Sequence, residues 1–156
     1  YRTGRYYRQF SLGEAVDRDK IAATRGTPFR FYNANTPTLL GSLEAGGDGY
    51  SGTAANWFPE LIVWLCRHHA GAPERAARLQ HLLTVCDRMV HHRYPAMAKQ
   101  YLANLGLPIT AHCRIPQVAL EEPDHQAFFE RAMSFRRLSM QAGRFWQKDG
   151  QNTVQT

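Results

Sequence analysis

A chain of 156 residues, 44% hydrophobic and 21% charged, has the size and apolar content of one globular domain with a sizeable core. It holds no run of about 18 apolar residues, which argues against a membrane-spanning helix. Its formal charge of +6 comes from scattered basic residues without a helix-turn-helix, zinc-finger or RNA-binding motif, so a nucleic-acid partner is not expected.

Two further features bear on setting. No secretory leader is expected, and the chain opens on Tyr1 rather than Met, the expectation being a fragment, a processed chain or a missing beginning. Cys66, Cys86 and Cys113 are widely spaced and odd in number. Reduced thiols in a cytoplasmic protein are the simplest reading.

Taken in chain order, residues 1–8 alternate Arg and Tyr and read as a solvated arm. Tyr6 to Phe10 has strand character, and Ser11 is placed to cap a helix from about Gly13 to Arg25, closed by Gly26. Phe29 to Tyr32 is a short aromatic run suited to a buried strand. Thr36 is positioned to cap a helix whose first residue, Pro37, loses nothing by lacking an N–H. Leu39, Leu40 and Leu43 give that helix an apolar stripe, and Gly46 or Gly47 ends it. A second strand runs from about Asp48 to Thr53, with Asn56 placed to cap the next helix. Strand, short helix and returning strand make the βα repeat of a barrel or a doubly wound sheet.

The remainder reads as helical. Pro59-Glu60 opens a helix through Leu61 to Cys66 that is apolar on nearly every side, predicting deep burial. Gly71-Ala72-Pro73 breaks it. The next helix starts at Pro73-Glu74, with Leu79, Leu82, Leu83, Cys86 and Val90 on one face. Another starts at Tyr94-Pro95, carries Met97, Ala98, Tyr101 and Leu102, and closes at Gly106. Leu107 to Ala119 reads as extended, and Glu121, Glu122 and Asp124 favour a helix N-terminus. Phe128, Phe129, Ala132, Met133 and Phe135 would pack that helix, with Arg131, Arg136 and Arg137 on its wet face. The organisation is thus a partial βα segment over 1–56, helices over 57–143, and a polar tail over 144–156 expected to be flexible.

Other constellations carry less. Cys66 and His69 share a helix at i, i+3, with His68, His91, His92, His112 and Cys113 as possible companions, but the spacing matches no closed tetrahedral zinc pattern. No metal and no cofactor are expected. Cys113 beside His112 is a poor thiol–imidazole pair, because neighbours on an extended segment point apart. Trp57, Phe58 and Trp64 read as core or interface anchors.

Several short stretches, in order, carry a resemblance: Phe31-Tyr32-Asn33-Ala34-Asn35, Ala45-Gly46-Gly47-Asp48-Gly49, Thr53-Ala54-Ala55-Asn56 followed by Pro59, Pro95-Ala96-Met97-Ala98-Lys99, Leu105-Gly106-Leu107 and Arg114-Ile115-Pro116. From about Tyr7 to Leu138 the chain resembles the C-terminal half of the dihydrodipicolinate synthase / N-acetylneuraminate lyase family. The resemblance implies an α/β fold, the C-terminal part of a (β/α)8 TIM barrel with two or three parallel strands, followed by a helical C-terminal extension. A full barrel needs about 250 residues. The family's first strands, its Gly-rich loop for the pyruvate carboxylate and its catalytic Tyr are therefore not expected within this stretch.

The family are class I aldolases, which make a keto acid electrophilic through an imine with a lysine. The resemblance places that lysine's slot within Tyr7-Arg8-Gln9-Phe10-Ser11, where the nearest basic residue is Arg8. A guanidinium stays protonated and forms no imine. Lys20, the closest lysine, falls mid-helix and reads as solvated. Barrel ligands sit at the C-terminal ends of strands, which makes Asn33, Asn35, Thr36, Ser51 and Thr53 the candidate substrate-facing residues. Helix capping is the competing role for Asn35 and Thr36, and Asn56 reads as a cap or loop tie. The family carries Gly and acidic residues where Ala34, Asn35 and Thr36 stand. Two functions are implied: a lyase acting on a small keto acid, or a catalytically silent binding or oligomerisation module. As partners, a second copy of the chain or the missing N-terminal half is expected, because a half-barrel exposes a strand edge and apolar helix faces.

Overall fold

The computed structural model describes residues 6–9, 18–91 and 93–114, together with the helical positions Ala127, Glu130, Arg131, Ser134 and Arg137. Among these residues three short strands, β1 (Tyr6–Gln9), β2 (Arg30–Asn33) and β3 (Gly49–Tyr50), form one sheet in the order β1-β2-β3. Both pairings are parallel, with Arg8 opposite Tyr32, and Asn33 opposite Gln9 on one side and Tyr50 on the other. Parallel neighbours require crossovers. Helix α1 (Arg18–Thr24) lies in the first, and a 3-10 turn (Thr36–Thr38) running into α2 (Leu39–Glu44) forms the second.

Local chemistry explains the tight second crossover. The φ of +97° at Gly46 is a left-handed conformation that glycine adopts without strain, and it turns the chain out of α2 towards β3. Asp48 then ties the start of β3 to β2. Its Oδ2 accepts from the Phe31 N–H at 2.7 Å, its own N–H donates to the Phe31 carbonyl at 2.8 Å, and its Oδ1 meets Arg30 Nη1 at 2.9 Å. Ile21 of α1, Phe31 of β2 and Ala45 after α2 make one buried cluster over the sheet.

After β3 a second 3-10 turn (Thr53–Asn56) leads to α3 (Pro59–His68) and α4 (Pro73–His91). Trp57 and Phe58 are fully buried, as core anchors should be, and Trp64 is half-buried. In α3 the buried residues are Leu61, Ile62 and Leu65, whereas Val63 is 45% exposed. The deep all-round burial expected from its composition is not found. Arg67 and His68 keep one side wet, so α3 is a surface helix with one core face. In α4 the expected face is seen at Leu79, Leu83 and Cys86, while Leu82 turns outward.

The chain divides into two compact units, Tyr1–His92 and Arg93–Thr156. In the second, α5 (Ala96–Asn104) buries Ala96, Met97, Ala98 and Tyr101. Leu107 to Arg114 carries no regular element, as expected. The positions between 127 and 137 named above are helical, with Arg131 and Arg137 exposed. The expected Ser11 cap, the acidic residues 121–124, the aromatic packing of the last helix and the 144–156 tail lie outside the described residues.

Candidate functional site

The polar residues of the first unit converge where β2 and β3 end. Asn33, the last residue of β2, is 7% exposed, and its amide is committed to shaping the turn. Its Nδ2 donates to the Thr38 carbonyl at 3.2 Å and to Thr38 Oγ1 at 3.0 Å, and its Oδ1 accepts from the Asn35 N–H. Asn33 is thus the frame of the site.

Thr36 departs from the expected capping role. Neither Asn35 before the 3-10 turn nor Thr38 before α2 makes a side-chain cap bond, and the Thr36 hydroxyl lies 2.7 Å from the Tyr50 phenol oxygen. The physical reason lies in α4. Gln80 Oε1 accepts the Leu40 N–H at 2.8 Å, satisfying a donor at the helix start, and Gln80 Nε2 donates to the Thr36 and Pro37 carbonyls at 2.9 and 3.2 Å. With those groups served by a residue 40 positions later, the buried Thr36 hydroxyl is left to pair with Tyr50.

Tyr50 is the second residue of β3, and the strand is shorter than the Asp48–Thr53 run expected. Beyond Ser51, whose N–H donates to the Asn33 carbonyl at 2.7 Å, the chain leaves the sheet and curls into the 3-10 turn. Gly52 makes this exit possible, since a Cβ there would stand 2.6 Å from the Ala34 carbonyl oxygen and collide with the Tyr50 phenol. Burial raises the Tyr50 pKa above its ordinary value. Hydrogen bonds with Thr36 and the Ala54 N–H pull it back, and the Asp87 charge pushes it further up.

Thr53 opens the second 3-10 turn, and its Oγ1 lies 3.0 Å from His91 Nε2 at the end of α4. His91 Nδ1 lies 2.8 Å from the Asp87 carbonyl oxygen and 3.6 Å from its carboxylate Oδ2. Asn56 is a loop tie, its Nδ2 donating to the Thr53 carbonyl at 3.1 Å, and Phe58 occupies the position before α3. Ser51 is exposed, and Asn35 and Thr53 are half-buried.

Of the five candidates, Thr36 and Thr53 therefore join a polar strip with Tyr50, His91 and Asp87, and Asn33 supports it from beneath. Tyr50, Gln80 and Asp87 are not site residues in the sequence reading, and His91 enters it only as a possible companion of Cys66 and His69. The i, i+4 spacing of Asp87 and His91 on a helix is the one local signal that linked any of them. Among the described residues the strip offers hydroxyls, an imidazole and a carboxylate, but no amine. Cys66 and Cys86 are free thiols with pKa values raised by burial, the latter to about 11. Among the described residues no group of three or more His, Cys, Asp or Glu side chains is arranged to hold a metal ion.

The model of the Dihydrodipicolinate synthetase family matches residues 10–134. The chain belongs to that family. Three solved structures of dihydrodipicolinate synthase type show the same fold. A monomeric dihydrodipicolinate synthase variant aligns with TM-score 0.68 at 20% identity, over 83% of this chain and 44% of its own. A protein of Thermus thermophilus assigned as a dihydrodipicolinate synthase aligns with TM-score 0.60 at 28% identity, over 85% of this chain and 46% of its own. YagE, a prophage protein of the same family from E. coli K12 solved with pyruvate, aligns with TM-score 0.62 at 22% identity, over 76% and 42%. The chain thus spans a little under half the length of these TIM-barrel relatives. No curated protein matches it significantly. Among the described residues no helix is long and apolar enough to cross a membrane.

Proposed function

We propose that this chain forms the later strands and C-terminal helices of a Schiff-base keto-acid lyase barrel, with β1, β2 and β3 as its sixth, seventh and eighth strands. The observation that carries this reading is the parallel sheet in chain order, joined by helical crossovers, with polar side chains gathered where β2 and β3 end. Ligands of (β/α)8 barrels are held at that end of the strands. The pyruvate bound in the YagE structure supports the keto-acid class. Asn35, Ser51 and Thr53 form the wall facing the substrate, the buried Thr36 backs it through its bond to Tyr50, and Asn33 holds the turn that carries Asn35 and Thr36.

In this reading the wall orients the substrate and excludes water, and an amine supplies the imine. The β1 segment Tyr6–Gln9 contains Arg8 and no lysine, so in this reading no lysine of this chain forms the imine and the amine comes from the part of the barrel that complements it. The same feature favours a second reading, a member that binds a keto acid or a second copy of itself without turning it over.

The test is a titration of the isotope-labelled chain with pyruvate, followed through its backbone amide resonances. The proposal expects shifts clustered at Asn35, Thr36 and Ser51 and none in α5. Shifts centred elsewhere, or none at concentrations that saturate keto-acid lyases, would overturn it.

A further inference from the structure

His91 enters the sequence reading only as a possible companion of Cys66 and His69, and both of its ring nitrogens are engaged elsewhere. The Asp87 carbonyl oxygen 2.8 Å from Nδ1 can only accept, so Nδ1 carries a proton. In the neutral ring Nε2 is then a bare lone pair, and the Thr53 hydroxyl 3.0 Å away must donate to it. That fixes the Thr53 hydrogen towards α4 and leaves only the oxygen's lone pairs for any other partner. The contact lies at the surface, within reach of a ligand, and Asp87 and the neutral Tyr50 phenol sit beside it.

We propose that His91 is a positioning residue for Thr53, making the Thr53 hydroxyl beside the end of β3 a group that can only accept. At Thr53 alone it favours a ligand group that donates, a hydroxyl or an ammonium, over a carboxylate or phosphate oxygen, so the carboxylate of a keto acid is turned towards Asn35 and Ser51. At Thr53 itself an anionic group would meet an oxygen whose hydrogen is already given to His91, with the Asp87 carboxylate nearby. This rests on the reading that the strand ends face a ligand. The tautomer beneath it is a property of the free chain, separable from pyruvate binding.

The experiment uses the whole chain with 15N-labelled histidine, at about pH 8, where an ordinary imidazole is neutral. Nitrogen shifts should show His91 protonated on Nδ1 and bare on Nε2, and Thr53→Val should move it towards the Nε2–H form. Glycerol should perturb the Thr53 amide and the His91 ring, and inorganic phosphate should not. His91→Leu should weaken the glycerol response roughly two- to tenfold, the effect of one lost hydrogen bond. His91→Gln, whose Oε1 also accepts, should restore it. An Nε2–H ring in the wild type, no tautomer change in Thr53→Val, or equal responses to glycerol and phosphate would each overturn the proposal. A correct tautomer with a failed pyruvate titration would instead leave the fault with the keto-acid reading.

Discussion

The phenol oxygen of Tyr50 lies 2.7 Å from the hydroxyl of Thr36, a bond across 14 residues that joins the exits of β2 and β3. Thr36 is 1% exposed, so its hydroxyl depends on this partner rather than on water. Replacing Tyr50 by Phe should cost about 1–3 kcal/mol, because a buried hydroxyl is orphaned. Thr36→Val in the Tyr50→Phe background should cost much less than in the wild type. Urea unfolding of the four species would check this, and additive losses would show that the two oxygens do not depend on each other.

Gln80 should behave as a clamp rather than a surface residue. Gln80→Leu removes the acceptor for the Leu40 N–H and the donor to two carbonyls. A loss of about 2–3 kcal/mol is expected, with the Leu40 amide exchanging much faster with deuterated solvent. Gln80→Glu, which keeps the acceptor, should preserve more of the protection at Leu40 than Gln80→Leu does.

The two members of the Arg30–Asp48 pair should differ sharply. The Arg30 side chain is 68% exposed, and its removal should cost well under about 1 kcal/mol. Asp48 also receives the Phe31 N–H at 2.7 Å, so Asp48→Ala should cost about 1–2 kcal/mol. Thermal unfolding of both variants separates the roles, and equal losses would mean that the ion pair dominates.

Cys86 links stability to alkaline pH. Burial raises its pKa from 9.0 to about 11, so folding favours the thiol. That contribution is complete below about pH 9, where the unfolded thiol is also protonated, and is lost as pH rises towards 11. It amounts to at most about 2–3 kcal/mol. Chemical denaturation from about pH 8 to 11 should show stability falling, with a shallower fall in Cys86→Ala. The slope that remains belongs to Cys66 and Tyr50, whose values are also raised.

The elements best read from the sequence were those announced by local chemistry. Pro59 and Pro73 open their helices, and the Phe29–Tyr32 run predicts a strand seen at Arg30–Asn33. The family was legible too, because its short stretches keep their order along the chain. What local chemistry could not supply was partner choice. The cap preference of Thr36 is real, but Gln80 satisfies the helix start and Tyr50 competes for the hydroxyl. Both partners are tertiary, and no short window of sequence contains them. In α3 an apolar run was misread as all-round burial, since composition does not say which face meets the core.

The most direct test of the account is the intact mass of this chain after incubation with pyruvate and borohydride, which fixes any imine as a stable amine. β1 carries Arg8 at the place proposed for the imine lysine, and the lysines of the chain are Lys20, Lys99 and Lys148. The account predicts an unchanged mass, together with the pyruvate-dependent amide shifts at the ends of β2 and β3. A single reduced pyruvate adduct on any of those lysines would contradict it, because the imine would then form on a residue that the assignment of β1 does not place in the site.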